Sequence, residues 1–170
     1  KWKTVEMIKG GLAATEGTVT IDGHDIFDEP IQAKKCIGYL PAVPPLYQDM
    51  TVLDYLRFVA EAKGVPAKNM QEELARVMEK TGITDMRLRL IKNLSKGYRQ
   101  RVGLAQAILG DPKVIILDEP TVGLDPQQLI EIRELTRELG RDRTVMLSSH
   151  IMQEISAVCD TIIIIANGKL

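Results

Sequence analysis

Val114-Ile115-Ile116-Leu117 is an apolar run with no polar alternation, and it constrains the fold more than any other stretch. A strand with one face in water alternates apolar and polar residues. A run without alternation suits a strand covered on both faces, as in a parallel sheet flanked by helices. Asp118-Glu119-Pro120 follows at once, so two carboxylates emerge at the C-terminal edge of that strand, where open α/β sheets carry ligand chemistry. One carboxylate is enough to hold a hydrated Mg²⁺ beside nucleotide phosphates, and its neighbour can polarise an attacking water. Taken alone, the pair reads equally well as the acidic end of a strand.

The rest of the chain alternates helix and strand around this run. Val5, Ile8 and Leu12 fall at helical spacing before Gly10-Gly11, residues 17–21 alternate as a strand, and Asp22-Gly23 signals a hairpin turn. His24 in that hairpin reads as a surface residue. A second strand over 36–40 runs into Pro41 and Pro44-Pro45, which force an extended loop. Thr51 with Asp54 opens a helix to about Lys63, with Leu53, Leu56 and Phe58 as its apolar contacts. A second helix starts at Asn69 and stops at Gly82, and a short amphipathic turn spans 85–90. Ser95 caps a helix that runs to Leu109, so a hydroxyl, backbone N–H groups and a helix N-terminus at Ser95, Lys96 and Gly97 can face a phosphate. Asp125 with Pro126 opens another helix, its apolar stripe Leu129, Ile132, Leu135 and Leu139. Strands over 144–148 and 161–165 enclose a helix over 151–159, the last strand being expected to be buried. The alternation predicts an α/β fold with a mostly parallel sheet and right-handed crossovers.

With 170 residues, 45% hydrophobic and 26% charged, the chain has enough material for one such domain with its own core. A net charge of −1 and a pI of about 6.2 argue against a nucleic-acid binder, which would carry a basic excess. Cys36 and Cys159 have neither metal-ligand nor disulfide spacing, which suits a reducing compartment, and Cys159 reads as a small core residue. No apolar segment approaches the roughly 20 residues of a membrane-spanning helix. The opening Lys1-Trp2-Lys3 already lies within a helical pattern, so the chain reads as truncated at its start, and 166–170 reads as a hairpin cut after its turn.

Leu94-Ser95-Lys96-Gly97-Tyr98, Val114 to Glu119, Gly123-Leu124-Asp125 and Ser148-Ser149-His150 resemble, in order and spacing, four motifs of the ABC transporter nucleotide-binding domain. These are the signature, the Walker B strand with its catalytic glutamate, the D-loop and the switch histidine. The run from Lys96 to Arg101 with Val102 to Ala107 is most similar to ATPase subunits of ABC-2 type exporters, the gliding-motility and drug-export-like group. The resemblance covers nearly the whole chain. It implies a P-loop NTPase-like α/β core with an inserted helical ABC subdomain: a partial core over 1–50, the helical signature subdomain over 51–100, and the core with Walker B, D-loop and switch histidine over 101–170.

The resemblance also implies roles. Glu119 becomes the general base or positioner of the attacking water, His150 the γ-phosphate contact, and Asp118 the residue that holds Mg²⁺ through a bound water. Lys1 takes the place of the P-loop lysine. Ser95, Lys96, Gly97 and Asp125 face ATP held by a second nucleotide-binding domain, in a homodimer or heterodimer. A transmembrane permease would dock on the loop over 41–47 and the helices over 51–90, keeping the protein cytoplasmic, on the inner face of the membrane. The implied activity is ATP hydrolysis that drives export. Lys96 and Tyr98 replace the family's commonest Gly and Gln, a variant that fits the exporter group, and three further features depart from the family pattern. The chain has no Gly-x-x-x-x-Gly-Lys-Ser/Thr loop, Trp2 stands where a Mg²⁺-binding Ser or Thr belongs, and Ala42 stands where this group carries Gln or Glu. The chain as given is therefore expected to bind and hydrolyse ATP poorly. The competing readings are a non-transport ABC clamp acting on DNA or the ribosome, and a degenerate, non-catalytic domain.

Overall fold

The computed structural model describes residues 2–166, with Trp2 described by its backbone alone. It opens with α1 (Trp2–Ile8), which buries Val5 and leaves Leu12 exposed beyond its end. A hairpin follows, β1 (Thr20–Ile21) antiparallel to β2 (His24–Asp25). Its turn residues Asp22 and Gly23 have φ of 50° and 85°, the left-handed pair that makes Asp-Gly a strong hairpin signal. The first strand is two residues long, shorter than the alternation from Gly17 predicts. A helix not expected from the sequence, α2 (Pro30–Lys35), starts with proline at its first turn, where the missing N–H costs nothing.

β3 (Ile37–Leu40) leads through the proline-rich loop into α3 (Val52–Ala62) and α4 (Met70–Lys80). Thr51 caps α3, its hydroxyl accepting from the Asp54 N–H at 3.1 Å. α5 (Lys96–Ile108) then delivers the chain to β4 (Val114–Asp118), and α6 (Pro126–Leu139), β5 (Thr144–Ser148) and α7 (Met152–Val158) follow. β3, β4 and β5 form a parallel sheet in that order. β4 is central, and Ile115, Ile116 and Leu117 are fully buried, as an uninterrupted apolar run requires.

α5 lies directly on β3. A Cβ on Gly38 would collide with the carbonyl oxygen of Ala107, and one on Gly103 would meet the side chains of Leu40 and Pro44 within 3 Å. Glycine at these two places sets the helix-to-sheet distance. The main core joins Leu40 and Leu117 of the sheet to Leu56 of α3, Val77 of α4 and Leu104 and Ile108 of α5. A smaller cluster of Ile21, Ile26 and Ala33 sits beneath the hairpin.

Several sequence expectations are corrected. No strand covers 161–165, and Ile163 is 70% exposed with Ile162, Ile164 and Ile165 also exposed. β-branched residues favour a strand only where a neighbouring strand supplies its hydrogen bonds and covering face, and among the described residues this segment has no such ladder. The short turn expected over 85–90 starts one residue earlier, as a 3-10 turn over Thr84–Met86 that continues as turn and bend to Arg89. Phe58 is exposed and rests on Tyr47, ring centroids 5.5 Å apart. Cys159 follows the last turn of α7 and is half-buried; it is not a core residue. His24 is half-buried, its Nδ1 3.2 Å from the Glu29 carboxylate. Lys1 and the 167–170 part of the expected terminal hairpin lie outside the described residues.

Candidate nucleotide site

Asp118 is the last residue of β4 and pairs in register with Ser148, the last residue of β5. Strand partners in register share a face, so a carboxylate and a hydroxyl stand side by side at the C-terminal edge of the sheet. Ser148 Oγ is buried and has no hydrogen-bond partner among the described residues. Burial keeps the nearby Tyr39 phenol above its usual range; Lys9, 4.3 Å from the centre of its ring, works against this and Asp118 adds to it.

Beyond Asp118 the backbone turns sharply. Glu119 has φ of 50°, and its N–H donates to the Ser148 carbonyl at 2.8 Å. A non-glycine residue in the left-handed region costs on the order of 1 kcal/mol and persists where surrounding contacts enforce it. The turn carries the Glu119 side chain out of the sheet to His150, whose Nδ1 lies 2.9 Å from Glu119 Oε2. The carboxylate is sheltered, with its side chain 15% exposed, whereas the imidazole is 66% exposed. A sheltered acid fixed by an open imidazole is a suitable acceptor for a proton from a water that approaches from solvent.

A second group of residues gathers where α5 and α6 begin. Ser95 Oγ accepts from the Tyr98 N–H at 3.3 Å and caps α5. Asp125 Oδ1 accepts from the Gln128 N–H at 2.9 Å and caps α6. The two helix starts touch: Gln128 lies over the α-carbon of Gly97, and Lys96 Nζ packs against Gly123, so a Cβ at either glycine would collide with its neighbour. Ser95 and Lys96 are exposed and Gly97 is buried. The structure thus brings Glu119 to His150, with Asp118 next to Glu119, and separately brings Ser95, Lys96 and Gly97 to the loop that ends at Asp125.

Three further residues were not anticipated. The Thr121 hydroxyl donates to Glu154 Oε2, and the Ser149 hydroxyl donates to the same oxygen at 3.3 Å. Glu154 is 4% exposed. In the sequence it reads as one more acid in the first turn of a helix, a position explained by the helix dipole alone.

The family model for the ABC transporter matches residues 2–122 of the chain. The chain belongs to the ABC transporter family. Over its whole length it is 35% identical to the uncharacterized ABC transporter ATP-binding protein YxlF of Bacillus subtilis, covering 56% of that protein. It is 36% identical to the bacitracin transport ATP-binding protein BcrA of Bacillus licheniformis, covering all of this chain and 55% of BcrA. The ABC domain therefore spans little more than half the length of these relatives. A solved ATP-binding subunit of an ABC transporter superposes on all of this chain and 71% of that one, with a TM-score of 0.87 and 28% identity. CbiO1 of Clostridium perfringens, part of the ABC transporter complex CbiONQ, superposes on 94% of this chain and 66% of its own, with a TM-score of 0.83 and 26% identity. The fold is the P-loop NTPase-like α/β fold of these ATP-binding proteins, and no helix among the described residues is long and apolar enough to cross a membrane.

Proposed function

We propose that the protein carrying this ABC domain hydrolyses ATP within an exporter, with Glu119 as general base. The observation that carries the reading is the Glu119 to His150 contact of 2.9 Å between the ends of adjacent parallel strands. Glu119 takes the proton of a water whose oxygen attacks the γ-phosphorus, and the bridging oxygen leaves with ADP. His150 orients that carboxylate and, being largely exposed, reaches the γ-phosphate when nucleotide is present.

Asp118 would hold Mg²⁺ through a bound water. Among the described residues no cluster of three or more His, Cys, Asp or Glu could cage a metal. A single carboxylate beside the unpartnered Ser148 hydroxyl suits an ion that keeps most of its waters and takes the rest of its ligands from phosphates. Mg²⁺ there would neutralise charge building on the phosphate oxygens. Ser95, Lys96 and Gly97 offer an exposed hydroxyl, a cation and a helix start to ATP bound by a second copy or a related domain, Asp125 lies at the same interface, and Lys1 fills the place of the P-loop lysine. A transmembrane permease docks on the loop over 41–47 and on α3 and α4, placing the protein at the cytoplasmic face of the membrane. The similarity to BcrA, a bacitracin transport ATP-binding protein, supports a role in transport.

Ala42 favours a second reading, a non-catalytic domain. It is exposed and lines a cavity of about 190 Å³ next to Lys96 and Arg99, where it offers no oxygen to a metal or water. Steady-state turnover of the complete protein separates the two. Wild type should hydrolyse ATP, and Glu119→Gln should abolish turnover while ATP binding survives, because an amide keeps the shape and cannot accept the proton. Turnover of Glu119→Gln close to wild type would remove the base from Glu119; a wild type without turnover would favour the non-catalytic domain.

A further inference from the structure

We infer that Glu154, with Thr121 and Ser149, is a positioning unit for the Glu119 and His150 pair; the inference rests on the catalytic reading of that pair. The three residues lie on two loops and a helix that meet only in the folded chain. Thr121 is two residues past Glu119, and Ser149 directly precedes His150. Both hydroxyls donate to Oε2 of Glu154, a carboxylate withdrawn from solvent on the first turn of α7. Ser149 Oγ also accepts from the Ile151 N–H at 3.1 Å. One oxygen thereby ties the loop after Glu119 to the loop that carries His150.

The arrangement is costly unless it does something. A carboxylate at 4% exposure loses most of its hydration, and removing one partner of such a buried network leaves the rest unsatisfied. The opposite end of α7 is held as well, since the Arg137 guanidinium of α6 donates to the Ala157 carbonyl, at 3.1 Å from Nε. α7 is therefore fixed along its length, and Glu154 is a fixed post. The Glu119 backbone is held in the left-handed region from one side by the Ser148 carbonyl; Thr121 on Glu154 holds the other side of the same short loop. Loss of this tie lets Glu119 and His150 move relative to each other. Misplacement of reacting groups by about 1 Å is enough to cost up to about a hundredfold in rate.

The test uses the complete protein and reads kcat, KM for ATP and the unfolding midpoint without nucleotide. Thr121→Val and Glu154→Ala should each lower kcat about tenfold, with KM within about twofold of wild type. Thr121→Ser and Glu154→Gln, which keep a donor and an acceptor in place, should return kcat to within about threefold of wild type. The double variant Thr121→Val with Glu154→Ala should lose no more than Glu154→Ala alone, because Glu154→Ala already removes the Thr121 tie. Wild-type kcat in Thr121→Val, additive losses in the double variant, or a Thr121→Ser as impaired as Thr121→Val would overturn the inference. If Glu154→Ala does not fold, the two Thr121 variants decide it. Glu119→Gln assayed in parallel separates the two claims: its activity sinks the catalytic reading, whereas an inactive Glu119→Gln beside a fully active Thr121→Val sinks only the positioning unit.

Discussion

Glu119 adopts φ of 50° although it carries a full side chain, and a neighbouring strand end holds it there. Gly38 shows the converse: its φ is unremarkable, but its α-carbon faces the Ala107 carbonyl so closely that a methyl group has no room. Gly38→Ala should lower stability by about 1–3 kcal/mol, since a backbone oxygen cannot step aside as a side chain can. Gly140→Ala is the control, with φ of −70° and neighbours no nearer than 3.5 Å; it should be neutral or stabilising by up to about 1 kcal/mol. Equal losses in urea titrations of the two variants would show that α5 can move off β3. The helix caps at Thr51, Ser95 and Asp125 were legible in the sequence because a cap bonds an N–H three residues away. Glu154 was not, because its partners are 33 and 5 residues distant and only the fold brings them to it.

α5 ends against cations borrowed from the two helices packed on it. Lys63, just past α3, donates to the carbonyls of Gln106, Ala107 and Leu109 at 2.7, 3.2 and 2.9 Å. Arg76 of α4 donates to the Ile108 carbonyl at 3.0 Å and pairs with Glu73, which accepts from the Gly110 N–H at 2.7 Å. The last carbonyls of a helix have no partners within it and carry its negative pole, so this end is neutralised by tertiary contacts. Lys63→Met should destabilise the domain at pH 7 by about 1–3 kcal/mol through carbonyls left without donors. Burial pulls the Lys63 amine down to about 8, with Glu73 pushing the other way. Between pH 8 and the ordinary lysine value near 10.5 the unfolded chain then holds a proton that the folded one has released. Stability of the wild type therefore rises with pH across that window, and the gap to Lys63→Met should widen as pH rises from 8 to 10. A gap that stays constant from pH 7 to 10 would mean that the three carbonyls keep the amine charged despite its burial.

Across the whole molecule, the proposed permease face is an aromatic and apolar patch. Tyr47 packs on Phe58 and, edge to face at 5.9 Å, on Tyr55, with Val43 and Leu88 exposed. Cysteines placed at Tyr47 and Arg87, both exposed, should crosslink to a co-expressed membrane subunit, while a cysteine at Gln127 on α6 should not; the reverse pattern would move the docking face to α6. Leu46, adjacent in sequence, is buried and unsuited as a probe. The sequence by itself determined what depends on neighbours in the chain. The doubly covered strand, the helix starts at Thr51, Ser95 and Asp125, the hairpin turn and the family motifs all follow from periodicity, capping or spacing. The tertiary structure alone decided which strands pair and which side chains meet across them. The isoleucines at 162–165 have the composition of a core strand without its ladder, and Glu119 and His150 meet over 31 residues. Strand order sets both outcomes, and no local pattern of hydrophobicity encodes strand order.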